Sequence, residues 1–228
     1  MSAFRGVLDL RFTHLTFDCY GTLIDWRNGI ESHLGEVLRK KGLARGVSVY
    51  PIYLRFEAEE QGKYKFYKDI LTDTAIRSAD HFKISITKDE AREFAGSVPS
   101  WKPFADTLES LREMGEKGYK RVILSNIDRD LLRDTINQNR LEVDGYVTAE
   151  DVGSYKPALG HWNRFFDEYR ATKDGTLHVA QSLFHDIRPA SNIGIATAWI
   201  NRYSDEKPSD VNPTYVTPDL RSLLKALA

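Results

Sequence analysis

Asp18 ends a short apolar run, Leu15-Thr16-Phe17, and is followed by Gly21 and Thr22. An apolar run that delivers a carboxylate to a glycine turn reads as a buried strand presenting that carboxylate at a loop mouth. Open α/β sheets bind their ligands there, and the carboxylate can act as nucleophile, metal ligand or N-cap. Other chemistry-bearing side chains fall after similar runs. Ser125 and Asn126 follow RVIL, and Gln181, Ser182, His185 and Asp186 follow HVA; Lys156 stands in SYKPA. One carboxylate, a hydroxyl–amide pair, a lysine and a second carboxylate would thus meet in one crevice. Each has a plainer reading alone: a turn aspartate, a Ser-Asn cap, a solvated lysine, an aspartate capping the helix through Pro189. Their joint order at strand ends favours a site. Cys19 is a weak nucleophile candidate, because the neighbouring carboxylate disfavours a thiolate.

The elements that must position these residues change character along the chain. Residues 27–100 carry helical periodicity: Ile30, Leu34, Val37 and Leu38 within Ile30–Lys41, then one stretch over Ile52–Leu71, continued by Asp73–Ile84. After Pro99 strands alternate with helices. Helices are expected over Asp106–Lys117, Asp128–Asn137 (capped by Asp128), Leu159–Tyr169 and Pro189–Ile193. Strands are expected at Arg121–Leu124, Gly145–Val147, Leu177–Ala180 and Thr197–Ile200, with Thr16–Phe17 supplying the first. This alternation implies a parallel sheet with right-handed crossovers. The expected fold is α/β, a helical block being inserted after the first strand. Asp205–Pro218 reads as surface loop and Pro218–Leu224 as a last short helix.

Composition narrows the function classes. The 228 residues, 41% hydrophobic and 29% charged, suffice for one sizeable core with a smaller insert. A net charge of −1 gives no reason to expect nucleic acid. No apolar stretch approaches the ~20 residues of a membrane helix. MSAFRGVLDLRF lacks the apolar region of a secretory signal. A single cysteine excludes an internal disulfide and fits a cytoplasmic protein.

In order, FDCYGTLID, LSN, YKP and a last motif with a downstream Asp before TAWINR resemble the haloacid dehalogenase superfamily. The resemblance implies a Rossmann-like three-layer α/β/α core, residues 1–25 and 101–228, with a helical cap at 26–100. Phosphatases of that superfamily carry a second Asp two residues after the nucleophile, where this chain has Tyr20, and a Gly-Asp pair where it has Ala180-Gln181. Asp-x-Tyr-Gly-Thr with Ser-Asn is similar instead to the L-2-haloacid dehalogenases. That resemblance implies hydrolysis of small 2-haloalkanoic acids to 2-hydroxy acids through an aspartyl ester, with no metal and no cofactor. Asp18 would be the nucleophile, while Thr22, Ser125 and Lys156 hold its carboxylate and that of the substrate. Asn126 would cradle the halide and Asp186 position or activate water. Arg55, in Leu54-Arg55-Phe56, would be the halide-binding arginine. Tyr67 falls near the pocket aromatic of the family, and Trp162 where it often has a tyrosine; with Tyr20 they would form an apolar wall.

The last motif, AQSLFHD, departs from the dehalogenases, with Gln181 and Leu183 replacing serine and asparagine. His185, beside Asp186, is read as an extra base, a halide contact or a capping residue. Gln181 and His185 are thus substrate-binding candidates. The alternative function is a magnesium-dependent phosphatase using Asp18 on phosphorus. A binding module that kept only the fold is a third reading, opposed by the intact set Asp18, Thr22, Ser125, Asn126, Lys156 and Asp186. The partner is a small haloacid, with neither nucleic acid nor membrane, and the resemblance makes a homodimer plausible.

Overall fold

The computed structural model describes residues 11–227; the reading of the first ten lies outside them. Six strands form one sheet in the order β3-β2-β1-β4-β5-β6. They are β1 (His14–Phe17), β2 (Lys120–Ser125), β3 (Gly145–Thr148), β4 (Thr176–Ala180), β5 (Ala196–Ile200) and β6 (Tyr215–Thr217). Every pairing is parallel. β1 lies in the middle, with Phe17 level with Ile123 of β2 and Val179 of β4. Such strands are covered on both faces and become continuously apolar; β4 is buried throughout. The chain runs outward from β1 through β2 and β3, then crosses back to β4. The crevice between the carboxyl ends of β1 and β4 is therefore the switch point where open α/β sheets bind ligands.

Five α-helices intervene between β1 and β2, and the first four are α1 (Trp26–Lys40), α2 (Tyr50–Glu60), α3 (Tyr67–His81) and α4 (Lys88–Ser97). Asp25 caps α1 by accepting from the Asn28 N–H. Ile30, Leu34 and Leu38, at four-residue spacing, give its buried face. Gly29 lets the Trp101 indole pack against the helix; a Cβ there would lie 2.1 Å from Cε3. Around this contact an aromatic cluster of Trp26, Tyr53, Phe94 and Trp101 joins the helices to the strand core.

The expected single helical stretch Ile52–Leu71 is two helices. Gly62 lies in the break, and α3 starts afresh because the Asp128 carboxylate accepts from the Tyr67 and Lys68 N–H groups at 2.8 and 2.9 Å. Asp128 thus caps α3 rather than its own helix, α6 (Arg129–Asn139), whose first turn is met by Glu150. α4 opens on a capping box of Thr87 and Glu90, a T-x-x-E signature legible in the sequence but not read there.

The remaining helices are α5 (Thr107–Glu116), α6 (Arg129–Asn139), α7 (Ala149–Val152), α8 (Gly160–Tyr169), α9 (Arg188–Asn192) and α10 (Leu220–Ala226). The expected loop Asp205–Pro218 contains the edge strand β6. Among the described residues no helix is long and apolar enough to cross a membrane.

Candidate active site

β1 ends on Phe17 and hands Asp18 to a tight turn. The turn closes through Leu23 and Ile24 N–H bonds to the Cys19 carbonyl. Gly21 takes φ +95° there, in the left-handed region that favours glycine. Thr22 then folds back so that its hydroxyl donates to Asp18 Oδ2 at 2.9 Å and accepts from the Gln181 N–H at 2.9 Å. One threonine so ties the loop after β1 to the loop after β4.

Lys156 completes the grip on the carboxylate. Its Nζ is buried and donates to Asp18 Oδ1 at 3.0 Å, Asp186 Oδ1 at 2.6 Å and the Leu124 carbonyl at 2.8 Å. Asn126 holds this lysine in place: its Oδ1 accepts from the Lys156 N–H and its Nδ2 donates to the Lys156 carbonyl. Ser125, at the end of β2, is buried and lines the same cavity.

The electrostatics set the two aspartates apart. Burial raises Asp18 above the ordinary carboxylate value, Lys156 and Thr22 opposing this only in part. Burial also works against ionised Asp186, but Lys156 and His178 outweigh it and hold that carboxyl well below the usual range. Burial disfavours the charge on Lys156 too, yet the two aspartates more than restore it. Burial, with Asp18 adding, pushes the Cys19 thiol well up, which removes it as a nucleophile.

His178 was not singled out from the sequence. It lies in the middle of β4, with Nε2 at 3.0 Å from Asp186 Oδ1 and Nδ1 at 2.8 Å from the Thr16 hydroxyl. An ionised Asp186 accepts only, so Nε2 carries the proton. A histidine inside an otherwise apolar strand was the available signal. His161 was missed as well; its Nε2 meets the Ser125 carbonyl, and burial lowers it to about 3.

Above Asp18 lies a cavity of about 230 Å³. Tyr20, Ser125, Asn126, Lys156, Gln181 and His185 line it from the sheet side, and Tyr67 from α3. Tyr20 directs its hydroxyl away to Thr135, leaving the ring as wall. His185 is capped by Ser182, and burial lowers its imidazole, which favours the neutral form.

Arg55, Trp162 and Asp186, all expected at the site, do not line this space. α2 turns Tyr50, Leu54, Glu57 and Gln61 toward the cavity, the spacing of one helix face. Arg55, about 100° around from Leu54, is exposed, its guanidinium over the Phe56 ring. Trp162 packs in a separate apolar cluster with Val122, Leu124 and Phe165, edge-on to His178. Asp186 is also screened, buried behind Lys156 rather than forming a cavity wall. Glu57 was missed because its setting, FEAEEQ, reads as a solvated charge run.

A carboxylate gripped on both oxygens at the floor of a small cavity, with an ammonium and amide beside it, is equipped for nucleophilic displacement. A family model for haloacid dehalogenase-like hydrolases matches residues 15–200. The chain belongs to this family. An (S)-2-haloacid dehalogenase from Pseudomonas fluorescens is 23% identical over 91% of this chain and 92% of its own. Haloacetate dehalogenase H-2 of Moraxella is 20% identical over 94% and 97%. Among solved structures, an L-2-haloacid dehalogenase from Xanthobacter autotrophicus with chloropropionic acid covalently bound superposes with TM-score 0.83. It is 18% identical, covering 95% of this chain and 98% of that one. The sheet order and the helices after β1 are thus those of a haloacid dehalogenase-like hydrolase with a Rossmann-like core.

Proposed function

We propose that this haloacid dehalogenase-like hydrolase releases halide from small 2-haloalkanoic acids through an ester on Asp18, without a metal. The observation that carries the reading is the single buried ammonium of Lys156 bridging Asp18 and Asp186. It supplies beside the nucleophile the positive charge that a divalent ion would otherwise supply. Its relatives named as haloacid dehalogenases, and the one carrying covalently bound chloropropionic acid, support the same chemistry. In this reading the helices of residues 26–100 form a cap that closes the cavity from bulk water.

One Asp18 oxygen displaces halide from carbon with inversion, leaving an ester, while Lys156 and Thr22 orient the carboxylate. The second Asn126 N–H faces the departing anion, an arrangement that stabilises charge as it develops. Water then attacks the ester carbonyl, the bond from Asp18 Cγ to the ester oxygen breaks, the 2-hydroxy acid departs with that oxygen and a proton, and Asp18 is restored as a carboxylate holding one solvent oxygen. His185, neutral and on the cavity wall, is the group suited to take the water proton. Asp186, held ionised by two donors, is a poor base and instead fixes Lys156.

The test is halide release from (S)-2-chloropropionate with a strong chelator present. Release should continue with chelator and vanish in Asp18→Asn, whose amide cannot attack. A first turnover in ¹⁸O-water should deliver unlabelled oxygen to the product. Solvent oxygen in that first product overturns the ester, and a need for added divalent ion overturns metal independence. His185→Gln should slow ester hydrolysis more than displacement, so that intact-protein mass spectrometry finds the ester accumulating.

A further inference from the structure

Glu57 is the group in the cavity that the proposed chemistry does not use. It is buried at 7% exposure and stands on the wall across from the core residues. The Tyr67 hydroxyl donates to Oε1, and among the described residues Oε2 has no hydrogen-bond partner and the carboxylate has no ion pair. The ionisable side chains that feel its charge are Tyr50, Tyr53 and Tyr67, none of them basic. A buried carboxylate without a countercharge is costly, and burial pushes this one up to about 7. What it lacks is a donor arriving from the cavity.

We infer that Glu57 is a specificity-determining acceptor for a substrate whose end remote from the reacting carbon carries a hydroxyl or ammonium group. The cavity volume of about 230 Å³, near eight water volumes at about 30 Å³ each, suits an acid of three or four carbons. At the floor the substrate carboxylate meets the Ser125 hydroxyl, beside the charge of Lys156; at the α2 end a donor meets Oε2. A second carboxylate at that end would face Glu57 directly and be rejected by like charge. The inference rests on the haloacid reading for the reacting end only.

Calorimetric binding of unreactive acids tests it apart from turnover. Propionate, 3-hydroxypropionate, 3-aminopropionate and malonate share one carboxylate and differ at the remote end. The wild type should bind the hydroxyl and ammonium acids at least tenfold more tightly than propionate, and malonate most weakly. Glu57→Gln keeps an acceptor, so it should retain the hydroxyl preference and lose most of the ammonium preference. Glu57→Leu should lose both. A repacked but otherwise uninvolved cavity would shift all four acids alike, leaving their ratios unchanged. Equal binding of the four by wild type, or unchanged ratios in both variants, overturns the inference; with halide still released from 2-chloropropionate, the dehalogenase reading stands. Absence of both binding and halide release overturns the two together.

Discussion

Asp18 and Glu57 are both buried carboxyls raised by desolvation, and their protonation has opposite consequences. In the proposed reaction Asp18 must be ionised to attack. Because burial raises it, kcat/KM should fall on acidification at a pH above the ordinary 3.8 of an aspartate; a pH–rate profile flat down to pH 4 would contradict this. For Glu57 the effect is on stability. Its folded value of about 7 lies above the ordinary 4.5, so the folded state binds the proton more tightly. That contribution is complete below about pH 4.5 and is lost as pH rises through about 7, on the order of 3 kcal/mol across the window. Denaturant unfolding at several pH values should show this decline, and Glu57→Gln should flatten it. Asp18, Thr22 and Ser125 could be found from the sequence because strand ends mark themselves by apolar runs, and Lys156 because SYKPA stands just before a helix. Glu57 could not, because which of Arg55 and Glu57 faces the cavity depends on the rotation of α2, and packing sets that. His178 escaped for a related reason: its partner Asp186 is reached only across the turn that follows β4.

At the level of elements, most strands and helices were legible because a parallel sheet demands apolar strands and its covering helices one apolar face. The break before α3 was not, since its decisive interaction comes from far along the chain. Asp128 sits at the head of α6, where capping of that helix is the local expectation, yet its carboxylate closes the first turn of α3. With the Tyr155 hydroxyl bonded to the Lys65 carbonyl, it joins the helices after β1 to the loops that carry Asn126 and Lys156. Asp128→Ala should cost about 2 kcal/mol and speed hydrogen exchange at Tyr67 and Lys68, with little change in α6. Protection lost from α6 instead would show that the cap acts locally. Gly29 makes a second case. Alanine is favoured over glycine within a helix by about 1 kcal/mol, yet the Trp101 ring occupies the place of its Cβ. Gly29→Ala should therefore lower Tm despite the better propensity.

Across the whole molecule, segments distant in sequence meet at a buried ion pair that does not touch the Asp18 carboxylate. Arg202, in the loop after β5, donates to both Asp106 oxygens and, through Nε and Nη2, to the Thr22 carbonyl, while its guanidinium lies 3.8 Å from the Phe104 ring centre. Asp106 Oδ2 also accepts from the Leu220 N–H at the start of α10. The start of α5, the last helix and the loop after β1 are thus fixed by one charge pair. No motif announced it, because none of the four segments is a neighbour of another in the chain. Removing one partner of such a pair strands a charge in the interior, typically at about 3–5 kcal/mol, whereas removing both can be far milder. Arg202→Met should therefore destabilise more than the double variant Arg202→Met/Asp106→Asn, whose amide still accepts from Leu220. Both variants lose the two donors to the Thr22 carbonyl, so both should lower kcat for halide release to a similar degree. Denaturant midpoints read the first comparison and steady-state rates the second. If stability and rate recover together in the double variant, Arg202 acts on the site only through global stability and not by holding Thr22.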